Sequence, residues 1–338
     1  MLTLKPYQER CLSDLTVYLD STATEGGKRA FVLATNRPYH EVPQLPGLPY
    51  VCLRVPTGGG KTLMASHAVG IAVEKLLRTE RAFCLWLVPS NAILDQTLKA
   101  LRDRNHPYHQ ALASRFVSDV RVLEVSETLS LSRADAEGAA CVLVATLQAF
   151  RVEATEGRKV YEEAGALMSH FSGLDVETEG RLEQGSGGRP IPSLCNLLRL
   201  HRPIVIVDEA HNARTPLSFE TLARFSPSCI LEFTATPQTQ DVPNKHLVAS
   251  NILCAVSARE LKADGMVKLP IHLRNWADWR ETVADALQMQ RELEGLAAQE
   301  ERETGEALQP IVLFQAQRAN QDQVTLVPAE LKKRLIED

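Results

Sequence analysis

Short runs of Val, Leu and Ile recur along the chain, separated by segments in which apolar residues return at helical spacing. The clearest runs are YVCLRV (50–55), FCLWLV (83–88), VRVLEV (120–125), CVLVAT (141–146), IVIVDEA (204–210) and CILEFTAT (229–236). Apolar runs of this length predict strands buried on both faces, and their alternation with helices predicts a mostly parallel sheet covered on both sides, an α/β fold. In such a sheet, ligands gather beyond the carboxyl ends of the strands. The polar clusters after the runs should therefore converge: Thr57 to Thr62, Pro89-Ser90-Asn91, Thr146 to Gln148, Asp208 to His211 and Thr234 to Thr236.

Three stretches depart from this rhythm. Residues 36–49 hold four prolines and read as a surface loop. Residues 172–192 are rich in glycine and acid with few large apolar side chains, and they read as a mobile insertion between two strands. From Trp279 to about Glu301, helix formers without proline predict one long helix, after which QPIVLFQA (309–316) predicts another buried strand and the last residues a helix. This divides the chain into a lobe at 1–272, a helical linker at 273–308 and the opening of a second α/β lobe at 309–338.

Composition changes little. With 338 residues, 44% of them hydrophobic and 23% charged, the chain has ample material for a packed core. The net charge of −5 requires any nucleic acid to be met by local patches. Seven cysteines stand singly, several within apolar runs (Cys52, Cys84, Cys141), with neither metal nor disulfide spacing. No apolar stretch approaches the ~20 residues of a membrane span, and MLTLKPYQERCL lacks the pattern of a leader, so no membrane partner and a cytoplasmic location are expected.

The chemistry is concentrated at two strand ends. Thr57-Gly58-Gly59-Gly60-Lys61-Thr62 follows a strand and opens a helix. Glycines let backbone N–H groups approach a phosphate, the lysine neutralises β/γ oxygens, and the threonine hydroxyl suits Mg²⁺. The generic pattern has glycine where this chain has Val55. After the most hydrophobic strand come Asp208-Glu209-Ala210-His211, where Asp208 can hold Mg²⁺ and Glu209 can orient or deprotonate the attacking water. ATP and Mg²⁺ are thus the expected cofactors.

Together PTGGGKT, DEAH and FTATP (233–237) resemble a superfamily 2 helicase or translocase motor, whose lobes are RecA-like P-loop NTPase domains. The resemblance implies that His211, Thr234 and Thr236 couple nucleotide state to nucleic-acid grip. It also makes Gln8 of LKPYQERCL an adenine reader, with Tyr7 or Lys5 beside it. By the same resemblance LVPSNAILDQT (87–97) and VATLQAF (144–150) bring Ser90, Thr146 and Gln148 to the sugar-phosphate backbone of one strand, contacts that position without reading bases. Within the superfamily the chain is most similar to the motor subunit of type III restriction enzymes, with SAREL and DGMVKLPI (257–271) in support.

That likeness implies ATP-dependent movement on duplex DNA in a phage-defence setting, with a second motor lobe and a nuclease or modification subunit outside this chain. In the family the second lobe supplies arginines at the transferring phosphoryl group, so this chain alone should hydrolyse ATP slowly or not at all. Two other readings stay open: an RNA helicase, since DEAH occurs on RNA motors as well, and a non-hydrolysing nucleotide-dependent binding module. Glu330-x-Lys332 is half of a metal-nuclease pattern and reads as a solvated helix face. His106, His109 and His201 have no partners at metal spacing, and Trp276 and Trp279 read as packing residues of the linker.

Overall fold

The computed structural model describes residues 2–150, 160–209, 216–242, 248–266, 274–305, 307 and 309–314. These fall into two compact units, Met1–Leu269 and Pro270–Asp338.

The first unit is built on seven strands: β1 (Tyr50–Arg54), β2 (Phe83–Val88), β3 (Asp119–Leu123), β4 (Ala139–Thr146), β5 (Ile204–Asp208), β6 (Cys229–Thr234) and β7 (Ile252–Ala255). They form one sheet in the order β3-β4-β2-β5-β6-β1-β7, every neighbouring pair parallel. Six strands lie on the expected runs. The seventh, β7, was not evident in the sequence because it is four residues long, only partly buried, and, among the described residues, held at the sheet edge by β1 alone.

The helices of this unit are α1 (Pro6–Glu25), α2 (Gly27–Thr35), α3 (Lys61–Ala72), α4 (Asn91–Arg102), α5 (Pro107–Ala113), α6 (Val125–Thr128), α7 (Arg133–Gly138), α8 (Val176–Gly180), α9 (Leu194–His201), α10 (Pro216–Ala223) and α11 (Ala258–Ala263). Successive strand residues face opposite sides of a sheet, so one buried run feeds two cores. Cys84, Trp86 and Val88 of β2 pack in the core shared with α1 to α5, whereas Phe83, Leu85 and Leu87 pack in the core shared with α7, α9 and α10. This two-sided burial is why the strands read as continuous apolar runs.

A disulfide joins Cys11 of α1 to Cys254 of β7 across 243 residues of sequence. This corrects the reading of seven single cysteines. Local spacing cannot show a pair that exists only because a terminal helix lies beside an edge strand.

Residues 172–192, thin in apolar side chains and expected to be mobile, have a local anchor. The buried Asn196 accepts the N–H of Glu183 at 2.8 Å and donates to the carbonyls of Glu183 at 2.8 Å and Ile191 at 2.9 Å. Asn196→Ala strands these groups, at ~2–4 kcal/mol of local stability. Tryptic cleavage after Arg181 is expected to accelerate at least tenfold by that amount, while far-ultraviolet circular dichroism stays unchanged.

In the second unit, α12 (Trp279–Thr304) is capped by Asp278, whose side chain accepts the N–H of Arg280 at 2.9 Å, and it ends at Gly305 in the left-handed region. Trp276 donates to Asp285 at 3.2 Å, and the Arg280 guanidinium sits 5.0 Å from the Trp279 ring centre. The run expected as a buried strand carries no regular structure over 309–314, and Ile311 and Leu313 are exposed. A strand needs a neighbour for its N–H and C=O groups, and none of the described residues pairs with this one. His211, Glu330 and Lys332 lie outside the described residues.

Candidate functional site

β1 delivers the chain to Val55, Pro56 and the glycines, and α3 starts at Lys61. Gly58 and Gly60 have φ of +82° and +77°, a region that penalises any β-carbon. At Gly60 a β-carbon would stand 2.5 Å from Gln8 Nε2. At Gly59 it would stand 2.6 Å from Val55 Cγ1 and 3.0 Å from the Pro56 carbonyl. Val55, which replaces the glycine of the generic pattern, is fully buried and fills the floor of the loop. The loop is thereby a close-packed cradle that only glycine permits.

The four residues expected to carry the chemistry come together. The parallel sheet sets the ends of β1 and β5 on either side of β6, so the start of α3 faces Asp208 and Glu209. Lys61 Nζ lies 2.7 Å from Glu209 Oε1, and Thr62 Oγ1 lies 3.4 Å from Asp208 Oδ2. Glu209 takes φ of +55°, a conformation unusual for a side-chain-bearing residue, and its N–H donates to the Phe233 carbonyl at 2.9 Å. Backbone distortion at this turn is what directs two adjacent acids to two different partners.

Asp208 is 7% exposed. Burial, opposed by Lys61 and reinforced by Glu209, pushes its carboxyl up from 3.8 to about 6. A buried carboxylate held this far from its ordinary range is short of positive charge, and a divalent cation would supply it. With the Thr62 hydroxyl alongside and the glycine cradle next to it, these oxygen donors suit Mg²⁺ and a polyphosphate.

Gln8, 2% exposed, has partners of its own. Its Oε1 accepts the Lys5 N–H at 2.9 Å, closing the first turn of α1, and its Nε2 donates to the Gly59 carbonyl at 3.1 Å. Tyr7 donates to the same carbonyl at 2.9 Å. These two side chains brace the cradle from α1, which leaves one N–H and one lone pair of the Gln8 amide for a base.

The remaining residues stand at other strand ends. Ser90 is an exposed N-cap of α4 and accepts the Ile93 N–H at 3.4 Å. Thr146 closes β4 and is mostly buried, whereas Gln148 is exposed. Thr234 is fully buried: its hydroxyl accepts the Thr236 N–H at 3.2 Å and its carbonyl accepts the Val55 N–H at 3.0 Å. Thr236 is exposed, so a contact with a strand would fall to it and not to Thr234.

One part of the site escaped the motifs. A cavity of about 430 Å³ runs from Lys61, Asp208 and Glu209 to Gln96 and Thr97 of α4 and Tyr108 of α5. Gln96 and Thr97 close the LVPSNAILDQT segment and were within reach of a sequence reading; nothing local marks Tyr108. Lys61 is the only base among the described residues lining this cavity. Among the described residues no cluster of His, Cys, Asp and Glu could hold a metal by itself, and none of their helices is long and apolar enough to cross a membrane. His106 caps α5 by accepting the Tyr108 N–H, His109 bonds the Leu101 carbonyl, and His201 stacks on Phe83.

A family model described as the type III restriction enzyme res subunit matches residues 1–239. Among solved structures, a nuclease-deletion mutant of the type ISP restriction-modification enzyme LlaGI, in complex with a DNA substrate mimic, is 13% identical with a TM-score of 0.42, over 90% of this chain and 24% of that one. The Sulfolobus solfataricus SWI2/SNF2 ATPase core in complex with dsDNA is 14% identical with a TM-score of 0.34, over 70% and 32%. The type ISP enzyme LlaBIII bound to DNA is 12% identical with a TM-score of 0.39, over 78% and 16%. The chain thus spans about a quarter of the length of the first of these. Comparison with curated proteins gave no match.

Proposed function

The chain belongs to the type III restriction enzyme res subunit family, and on that premise we propose that it is the ATP-binding lobe of a motor that moves on duplex DNA. The observation that carries the reading is the meeting of Lys61-Thr62 with Asp208-Glu209, at 2.7 and 3.4 Å, beside a cradle that admits only glycine. A simple helix start after a strand accounts for neither acid.

In this reading the first-turn N–H groups of α3 receive phosphate oxygens, and Lys61 exchanges its Glu209 partner for them. Thr62 and Asp208 would hold Mg²⁺, which when bound would supply positive charge to a polyphosphate. Glu209, released from Lys61, is free to orient the attacking water. Gln8 and Tyr7 keep the cradle in place through Gly59. The strand-end residues Ser90, Thr146, Gln148 and Thr236, with Thr234 and His211, couple this site to the nucleic acid. The setting is cytoplasmic and serves phage defence, with a second motor lobe and a nuclease or modification subunit as partners.

The expectation of slow turnover by this chain alone follows from the family likeness, in which the second lobe supplies the arginines. A transferring phosphoryl group gains roughly 10³–10⁵ in rate from an added arginine in related enzymes. Lys61→Ala is expected to weaken ATP binding at least tenfold, read by equilibrium titration with a fluorescent ATP analogue. Unchanged affinity would dismiss the cradle as a nucleotide site. Stimulation of turnover in the intact protein by duplex DNA but not duplex RNA distinguishes this motor from an RNA helicase. DNA-stimulated turnover by this chain alone, abolished in Lys61→Ala, would show that it completes a motor site unaided.

A further inference from the structure

We propose that Cys11 and Cys254 are a reversible dithiol–disulfide site, exchanged by small or protein dithiols, that sets the grip of the cradle on its nucleotide. The proposal rests on the reading of the cradle as the ATP site.

Both ends of the bond lead to the same glycine. Cys11 is one helical turn beyond Tyr7 and three residues beyond Gln8, the two side chains that donate to the Gly59 carbonyl at 2.9 and 3.1 Å. Cys254 pairs in register with Leu53 of β1, the strand that runs into the cradle. The chain beyond Cys254 leads to α11, whose Leu261 would stand 3.4 Å from a β-carbon on Gly59. The disulfide therefore ties the helix that braces the loop to the edge strand and helix that wall it. With the bond closed, Tyr7 and Gln8 are held against Gly59 without further loss of chain freedom. With it open, that order must be established on binding.

The surroundings suit exchange at this pair and no other. Arg10 Nη1 lies 3.2 Å from Cys254 Sγ, while Nη2 bonds the Ala255 carbonyl at 3.3 Å and Glu260 at 2.8 Å. A guanidinium beside a sulfur stabilises its thiolate, which makes Cys254 the leaving group. The other five cysteines are buried, and burial pushes the thiols of Cys84 and Cys229 upward. Both bonded residues are themselves nearly inaccessible, so exchange waits on fraying of β7, a four-residue edge strand whose only strand neighbour among the described residues is β1 and whose pairing there slips at Cys52/Leu53.

In reduction, a thiolate of the dithiol attacks Cys11 Sγ; the Cys11–Cys254 bond breaks, and Cys254 leaves as a thiolate beside Arg10 and takes a proton. The second thiol then displaces Cys11 from the mixed disulfide, and Cys11 takes the second proton. Two electrons and two protons pass to the protein, and the reductant leaves as its disulfide. An oxidised dithiol runs the steps in reverse.

The test compares affinity for a fluorescent ATP analogue in the full chain before and after dithiothreitol, with thiols counted by alkylation in denaturant and mass. The wild type should show five alkylated thiols before reduction and seven after, since the pair removes two of the seven. Reduction should weaken binding by roughly 5-fold or more, and reoxidation should restore it. Cys11→Ser with Cys254→Ser should bind like the reduced wild type and ignore dithiothreitol. Since that pair of changes risks misfolding, the wild-type comparison decides by itself. Seven thiols in protein treated with an oxidised dithiol, or equal affinity in the two redox states, overturns the proposal and leaves the ATP reading standing. No binding in either state, with Lys61→Ala indistinguishable, overturns both.

Discussion

Asp208→Asn is expected to make the metal-free protein more stable and at the same time to abolish its Mg²⁺-dependent chemistry. The carboxyl titrates near 3.8 when unfolded and about 6 in the fold, chiefly because burial penalises its charge. A raised carboxyl favours the fold while protonated, so the penalty is absent below pH ~4, grows between pH ~4 and ~6, and is complete above that. At ~1.4 kcal/mol per pH unit the shift costs ~3 kcal/mol at pH 8. Asparagine has nearly the same shape and can still accept from Thr62, so it should recover most of this cost. Urea unfolding in a chelator at pH 4 and pH 8 reads it: a gain of ~2–3 kcal/mol at pH 8 that vanishes at pH 4. A loss of stability at pH 8 would mean that the attraction of Lys61 outweighs burial, reversing the order of causes. Added Mg²⁺ with ATP should raise the melting temperature of the wild type and not of the variant.

The second large effect falls on Gly59. Gly59→Ala places a β-carbon 2.6 Å from Val55 Cγ1, closer than folded proteins tolerate, and 3.0 Å from the Pro56 carbonyl, tighter than most such contacts. Strain of ~1–3 kcal/mol in the loop should weaken ATP binding by roughly 5- to 150-fold. Val55→Gly in the same chain removes the first clash and leaves the second, so it should return part of the affinity. Affinities of the wild type, both single variants and the double variant measure the coupling between the two positions. Additive losses would show that Val55 and Gly59 do not share the space the geometry assigns them.

The adenine-reading role expected of Gln8 comes from resemblance, and the fold adds a second role beside it. Its two amide atoms serve the Lys5 N–H and the Gly59 carbonyl, with one N–H and one lone pair left for a base. Which partner an amide takes depends on where α1 lies against the cradle, and no local pattern contains that placement. Thr234 shows the same dependence: full burial turns its hydroxyl inward to accept the Thr236 N–H, while its carbonyl accepts the Val55 N–H.

What the amino-acid sequence determined by itself was every property carried by local order. Apolar runs alternating with helical segments point to strands covered on both faces, and six of the seven observed strands follow from them, while the run at 309–314 shows that a strand also needs a neighbour in space. A glycine cluster ending in Lys61-Thr62 between a strand and a helix, and two acids after the most hydrophobic strand, name their chemistry wherever the chain places them. The tertiary structure decided what depends on distance across the fold. It set α3 against Asp208 and Glu209 with β6 between their strands, buried Asp208 until its carboxyl rose to about 6, and added an edge strand too short and too exposed to leave a run. It also joined Cys11 to Cys254 across 243 residues. The reason is common to all four: periodicity and motif spacing report neighbours along the chain, whereas burial, charge coupling and disulfide pairing are set by neighbours in space.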